Sequence, residues 1–322
     1  MPTYARSWGR LIGAMLLAAA SVEAHAQDLE PRAFANTPVG LNFLIGGYAY
    51  SKGTVGTDPS VPLEDTDVTA NSAVLAYVRT FGLWSRSGKF DVILPYSWVS
   101  GSAKLAGHEK TRDVSGPGDP RLRLSWLLYG GPALSLEEFR DYKPDLIIGA
   151  SFEVTAPLGQ YDDDKLLNVG TNRWSFKPEI GISKTIDPLT LEVATGVRFY
   201  TDNNDYLDGK TLQLSPIYSV QGHLIYSFMP GLWAGIDGVY YAGGQPTIDG
   251  NKGESNENAR VGLTLTLPVN KYNSAKLYGS TGVYSRTGTD YDLVGILWQF
   301  RWGVDFRSAR RRGEPAGMLH TL

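Results

Sequence analysis

The stretch that decides the fold is residues 294–306, VGILWQFRWGVDF. Its even positions carry valine, isoleucine, tryptophan and phenylalanine, whereas most of its odd positions are polar or small. Successive side chains of a strand point to opposite faces, so a strand here has one apolar and one largely polar face. A strand that crosses a membrane needs this arrangement, with lipid on one side and a polar lumen on the other. The stretch therefore indicates a transmembrane β-strand.

The same alternation recurs along the chain in segments of about 9–11 residues, the length that a tilted strand needs to cross a bilayer. We predict an all-β, antiparallel up-and-down barrel of the Gram-negative outer-membrane type, with about 12 strands, an even number as expected for bacterial barrels. The predicted strands are 37–50, 69–81, 89–101, 119–129, 145–157, 173–185, 189–201, 215–228, 232–243, 257–268, 274–286 and 291–306. Strands 69–81 and 274–286 alternate weakly, so the count is defined to within about two.

Connections between these strands alternate in length, which orients the barrel. Short turns at 187–188, 229–231 and 268–273 are expected to face the periplasm. Long polar loops are expected outside, at 51–68, 102–118, 158–172, 202–214 and 244–256. The long connection 130–144 lies on the short-turn side, and its residues 134–139 are compatible with one helical turn at the membrane surface.

The two ends of the chain differ from the barrel region 27–306. Residues 1–26 have the form of a cleaved signal peptide: Arg6 and Arg10 precede the apolar run 11–20, and Ala24-His25-Ala26 is a cleavage site. An N-terminal membrane anchor is the alternative, but the run is about half the roughly 20 residues that a spanning helix requires. Residues 307–322 are basic and lack periodicity, which predicts a disordered periplasmic tail.

Composition excludes several classes of partner and cofactor. The net charge of −3 without a basic stripe argues against nucleic acid. The chain has no cysteine and so no thiolate metal site. The acidic run 162–164 and the loop 202–205 offer oxygen ligands but match no complete calcium loop, so solvated loop charge is the better interpretation. No metal or other cofactor is predicted.

Charged residues at inward positions are the candidate functional residues, because such side chains set what a pore passes. They are Arg121, Arg123, Glu153, Lys177, Glu179, Glu192, Arg198, His223, Asp237, Arg260 and Arg301. Both signs occur, which suggests internal ion pairs rather than a simple ion filter. Two alternatives stay open: a conducting or gated pathway, and a structural or interaction barrel with a plugged lumen. Whether residues 27–36 plug the lumen from below is part of this question.

An enzyme is not expected, since no Ser-His-acid arrangement can be assigned. The mature chain holds only His108, His223 and His320, and His223 should point into the lumen, away from lipid substrates.

Several longer motifs carry a resemblance to a known family. They are 28–32 (DLEPR), 36–42 (NTPVGLN), 116–121 (GPGDPR), 156–161 (APLGQY) and 170–174 (GTNRW). In these motifs the chain resembles the family described as Putative MetA-pathway of phenol degradation, over most of its mature length. The resemblance implies an outer-membrane transporter associated with the catabolism of aromatic compounds, without agreed catalytic residues. The basic tail departs from the family's usual ending near Arg301-Trp302-Gly303.

Together these observations predict an outer-membrane channel for passive or gated uptake of small aromatic or hydrophobic compounds. Its partners would be outer-membrane lipid, the small-molecule permeant and the outer-membrane assembly machinery, with the oligomeric state left open. The substrate class depends on the family resemblance alone.

Overall fold

A computed structural model describes residues 29–54, 63–105, 108–207, 209–287 and 290–303. The predicted signal peptide 1–26 and tail 307–322 lie outside these residues. Twelve strands form the main body, numbered here β1 to β12 in chain order. They are Asn42–Thr54, Leu63–Leu83, Arg86–Leu105, Arg121–Tyr129, Leu146–Thr155, Ser175–Ile186, Leu189–Tyr200, Ile217–Met229, Leu232–Gly243, Asn256–Pro268, Asn273–Thr287 and Asp290–Trp302.

These strands close into an up-and-down antiparallel barrel. Each strand pairs with its neighbours in the sequence, and β1 pairs with β12 from Asn42↔Trp302 to Thr54↔Asp290. The barrel therefore has twelve strands, as the alternation predicts. Closure gives every strand two partners, so that the wall has no unpaired edge in lipid.

The distribution of polar and apolar side chains is the reverse of that in a soluble protein. Leu263, Ile236 and Val193 point outward, and their exposed fractions are 65%, 59% and 57%. Aspartate, glutamate, histidine and arginine side chains are buried inside, and Asp91 and Asp237 are only 4% and 2% exposed. An outward apolar band with a polar interior is the pattern of an outer-membrane barrel. No helix in the described part of the chain is long and apolar enough to span a membrane.

Strand boundaries differ from the prediction at both ends of the barrel. The first strand begins at Asn42 rather than at residue 37, because residues 37–41 form a turn that leads into it. The last strand ends at Trp302, and the predicted end at Phe306 lies outside the described residues. β2 is longer than expected, from Leu63 to Leu83.

Most of the predicted long loops contain strands that the alternation did not predict. β3 continues to Leu105 and pairs there with the strand His108–Pro117. A separate four-stranded sheet comprises Asn203–Tyr206, Lys210–Leu214, Pro246–Ile248 and Asn251–Lys252. The connection 130–145 contains one 3₁₀ turn, Glu138–Arg140. Alternation of apolar with polar residues in these loops is too short to distinguish a hairpin from a coil.

Candidate functional site in the barrel lumen

The chain before β1 lies inside the barrel. We call residues 29–40 the N-terminal segment. At the end of the barrel that carries the short turns, the amide of Gly40 donates to Thr80 O (3.1 Å) and the amide of Val39 donates to Leu134 O (2.9 Å). At the other end of the segment, Leu29 lies against the middle of β10: a Cβ atom added to Gly262 would be 2.7 Å from Leu29 Cδ1. The segment thus extends from the short-turn end into the lumen.

Register places charged inward residues of four neighbouring strands directly opposite one another. Asp91 pairs with Arg123, Arg123 with Glu153, and Glu153 with Lys177. We call these four residues the acid–base row. Signs alternate along it, and Arg123 Nε donates to Asp91 Oδ2 at 2.8 Å. Opposite charges at directly opposed positions stabilise a sheet, and burial requires such pairing.

Further pairs extend this network around the wall. Arg198 Nη2 donates to Glu153 Oε1 (3.1 Å), and Lys177 Nζ lies 2.9 Å from Glu179 Oε2. Gln221 Nε2 donates to Glu179 Oε2 at 3.2 Å. The inward charges are therefore arranged as ion pairs, which fits the expectation drawn from their mixed signs.

A second row of directly opposed residues crosses β6 to β9. It comprises Ser183, Glu192, His223 and Asp237, and we call it the His223 row. His223 Nδ1 lies 2.7 Å from Asp237 Oδ1, and its Nε2 lies 3.3 Å from Gln221 Oε1. The second ring nitrogen thus faces an amide rather than a hydroxyl nucleophile, so this contact does not form the Ser-His-acid arrangement of a hydrolase.

The N-terminal segment binds both rows through its polar groups. Glu30 forms an ion pair with Arg123 of the acid–base row. The amide of Arg32 donates to Glu192 Oε2 (2.6 Å), and its guanidinium donates to Ser227 Oγ (2.7 Å). Lys89 Nζ donates to the carbonyl of Ala33 at 2.5 Å. The segment is thus held to β3, β4, β7 and β8 by side chains rather than by a strand ladder.

Phe34 supplies the apolar part of this docking. Its buried side chain clusters with Leu127, Ile147 and Ala194 on the lumen face. Its ring also lies over the backbone of β5 and β6, because Cβ atoms added to Gly149 and Gly181 would lie 2.4 and 2.3 Å from ring carbons. The glycines make a recess in which the ring fits.

Eight of the eleven predicted site residues meet in the lumen, and the other three lie elsewhere in the barrel. Arg123, Glu153, Lys177, Glu179, Glu192, Arg198, His223 and Asp237 meet in the two rows and their extensions. Arg260 lies apart, in a pocket between β9 and β12. Arg121 is at the start of β4, opposite Thr155. Arg301 is at the short-turn end of the barrel, where its Nε donates to Lys271 O at 2.6 Å in the turn between β10 and β11.

Some residues of this site were not among the candidates. Lys89, Asp91 and Gln221 have the inward parity of their strands, so the alternation could have found them. Glu30, Arg32 and Phe34 have no such signal, because they precede the first strand.

Comparison with known proteins identifies the family. A family model described as Putative MetA-pathway of phenol degradation matches residues 38–294. The chain belongs to this family. Among curated protein sequences no match is found.

Solved structures that resemble this member of the phenol-degradation family are outer-membrane barrels. An outer membrane channel from Pseudomonas putida F1 superposes with a TM-score of 0.71 at 20% identity, covering 85% of this chain and 99% of that one. The transport unit of the autotransporter AIDA-I from Escherichia coli gives a TM-score of 0.51 at 8% identity, with 85% and 93% covered. At these identities the likeness concerns the fold.

Three motifs that carry the phenol-degradation family resemblance meet at the carboxylate of Asp119. Its Oδ1 accepts from the amide of Gly159 (2.8 Å), and its Oδ2 accepts from the amide (2.8 Å) and hydroxyl (2.7 Å) of Thr171. A Cβ atom added to Gly159 would be 2.8 Å from Cα of Gly170. The backbone at Gly159 therefore contacts the backbone at Gly170 directly. These motif residues therefore fix the loop 156–174 against the start of β4.

Proposed function

We propose that this protein is an outer-membrane channel for small aromatic or hydrophobic compounds, and that the N-terminal segment gates its lumen. The observation that carries the proposal is the docking of this segment on the inner wall. It is held by hydrogen bonds, ion pairs and one aromatic side chain, and it is not a strand of the barrel. Such contacts can be broken while the twelve-stranded wall stays closed.

A barrel of twelve strands is compatible with passage of a small molecule through its lumen. Eight-stranded barrels are filled by side chains, whereas 16–18 strands leave an aqueous channel, and twelve strands lie between. Several charged residues on the wall are paired, for example Arg198 with Glu153, so that this part of the wall faces a permeant as a polar but locally neutral surface. Membership of the phenol-degradation family supports an aromatic permeant.

A structural barrel without transport is the second candidate, and the same segment favours it. If the segment stayed docked permanently, the barrel would serve as a membrane anchor for its outer loops. The two functions differ in whether the segment leaves the lumen.

The deciding experiment removes residues 29–36 and keeps residues 37–41, which connect to β1. The purified variant and the parent are compared in planar bilayers and in liposome flux assays with phenol and toluene. We expect larger single-channel currents and faster flux for the variant. Far-ultraviolet circular dichroism and the mobility of unheated samples on gels control for folding. A folded variant that neither conducts nor passes either compound would establish the structural barrel instead.

A further inference from the structure

A small pocket lies in the lumen wall between β9 and β12, on the loop side of the N-terminal segment. Its lining includes three tyrosines, Tyr241, Tyr278 and Tyr291, and the polar residues Asp237 and Arg260. All five have the inward parity of their strands. Tyr291 is one residue from the outer end of β12 and Arg260 four residues from that of β10. A compound that enters from outside reaches this pocket before it reaches the segment.

Arg260 has an unused hydrogen-bond donor in this pocket. The residue is only 6% exposed, and its Nη2 donates to Ser280 Oγ (3.0 Å) and to Tyr291 O (2.7 Å). Its Nη1 is buried and has no hydrogen-bond partner among the described residues. A buried donor without an acceptor is unfavourable, and most such groups in proteins find a partner. A bound acceptor oxygen would satisfy it.

Asp237 places a carboxylate in the lining of the same pocket. It lies opposite Gly262, two residues from Arg260 on the same face, so the two side chains are diagonal neighbours. Its Oδ2 accepts from Thr264 Oγ1 at 2.7 Å. A carboxylate ligand would only accept hydrogen bonds and would be repelled by Asp237. A hydrocarbon would leave Arg260 Nη1 unsatisfied. A hydroxyl group can accept from Arg260 and donate to Asp237, so it matches both.

The tyrosines provide surfaces for a flat ring. The guanidinium of Arg260 lies 3.6 Å from the ring centroid of Tyr291. Tyr278 lies across β12, because a Cβ atom at Gly295 would be 2.4 Å from its Cζ. Both rings line the pocket, and aromatic side chains bind another ring by offset or edge-to-face contact.

Leu29 of the N-terminal segment closes the pocket from the side of the lumen. Leu29 lies against Gly262, and the pocket that it lines together with the tyrosines is small. A six-membered ring therefore fits fully when Leu29 withdraws. Any ligand that binds only the withdrawn state shifts the population toward it, so binding and opening are linked.

We propose that this pocket is a binding site for single-ring compounds that carry a hydroxyl group, and that the ring takes the place of Leu29. The proposal deepens the proposed channel function and rests on it. Arg260 and Asp237 bind the hydroxyl, the tyrosines bind the ring, and the departure of Leu29 loosens the segment.

The test measures binding and flux separately on the full mature chain in detergent and in liposomes. Calorimetric titration uses phenol, toluene and benzoate, and we expect phenol to bind at least about tenfold more tightly than the other two. Toluene can make neither polar contact, and benzoate cannot donate a hydrogen bond to Asp237. Arg260→Gln should weaken phenol binding about tenfold or more. Leu29→Ala should tighten it by about fivefold, because the competing side chain is gone. Arg140→Gln, at an exposed arginine of the 3₁₀ turn Glu138–Arg140, is the matched control and should bind as the parent does.

The outcomes separate the site from the channel. Phenol binding that is unchanged in both Arg260→Gln and Leu29→Ala overturns the site. Flux of phenol through the parent without measurable binding also overturns the site, while the channel stands. Binding that Leu29→Ala tightens, without any flux, supports the site and overturns the channel. Leu29→Ala lies outside the strands, so it remains informative if Arg260→Gln fails to fold.

Discussion

The ring of Phe34 lies directly on the backbone of Gly181 in β6: a Cβ atom at this glycine would stand 2.3 Å from ring carbons Cδ2 and Cε2. We therefore predict that Gly181→Ala expels Phe34 from its recess. Overpacking of this kind costs about 1–3 kcal/mol. Because this overpacking destabilises the docked segment, the fraction of time that the channel is open in planar bilayers should rise about fivefold or more. Gly46→Ala is the matched control, because no atom lies within 4 Å of its added Cβ. Equal open fractions in the two variants would show that Phe34 does not hold the segment.

Arg32 contributes two side-chain contacts to the docking of the segment. Its guanidinium donates to Ser227 and lies 4.9 Å from the ring centroid of Trp233. Arg32→Ala removes both contacts but leaves the backbone bond to Glu192, so we expect the docking to weaken by about 1–3 kcal/mol. The chain has no cysteine, so Ala35→Cys gives a single thiol. Its maleimide labelling rate should rise roughly tenfold in the Arg32→Ala background. The rate should stay the same with Arg301→Ala, and a rise with both would indicate general loosening of the barrel.

The outward face of the barrel should tolerate a charged side chain only near the ends of the strands. Leu263, in the middle of β10, is 65% exposed to what we infer is lipid. Leu263→Arg should reduce the free energy of unfolding by about 2–4 kcal/mol, because arginine at the bilayer midplane loses its hydration. Val269→Arg, just past the end of the same strand, should cost about 1 kcal/mol or less. Urea titration in lipid vesicles measures both. Equal losses at the two positions would contradict the placement of β10 across the bilayer.

Asp119 should hold the loop 156–174 through its carboxylate. Asp119→Ala removes three hydrogen bonds, from Gly159 N and from the amide and hydroxyl of Thr171. Amide exchange at Gly159 and Thr171 should accelerate by about tenfold or more. Asp119→Asn keeps one acceptor oxygen and should have a smaller effect. Asp163→Ala, an exposed aspartate in the same loop, should leave exchange unchanged. Protection that persists in Asp119→Ala would mean that the loop is held by its other contacts.

The recess around Phe34 shows why part of the site was invisible in the sequence. In the sequence, Gly149 and Gly181 are two small inward residues of neighbouring predicted strands, and Phe34 is an apolar residue before the first strand. Nothing local joins Phe34 to the two glycines. Their contact exists because closure of the barrel brings β5 and β6 around the segment, and such long-range contacts leave no periodic signal.

The alternation in residues 294–302 was sufficient by itself to predict a transmembrane strand, and its recurrence along the chain predicted a barrel of about twelve strands with a lipid face and a lumen face. This follows because the side-chain period of a strand is two, so that parity assigns each residue a side. Only the tertiary structure decided which inward charges meet, since that depends on register between strands far apart in the chain. Arg123 could have faced several acids; the register places it opposite Asp91 and Glu153, and the N-terminal segment adds Glu30.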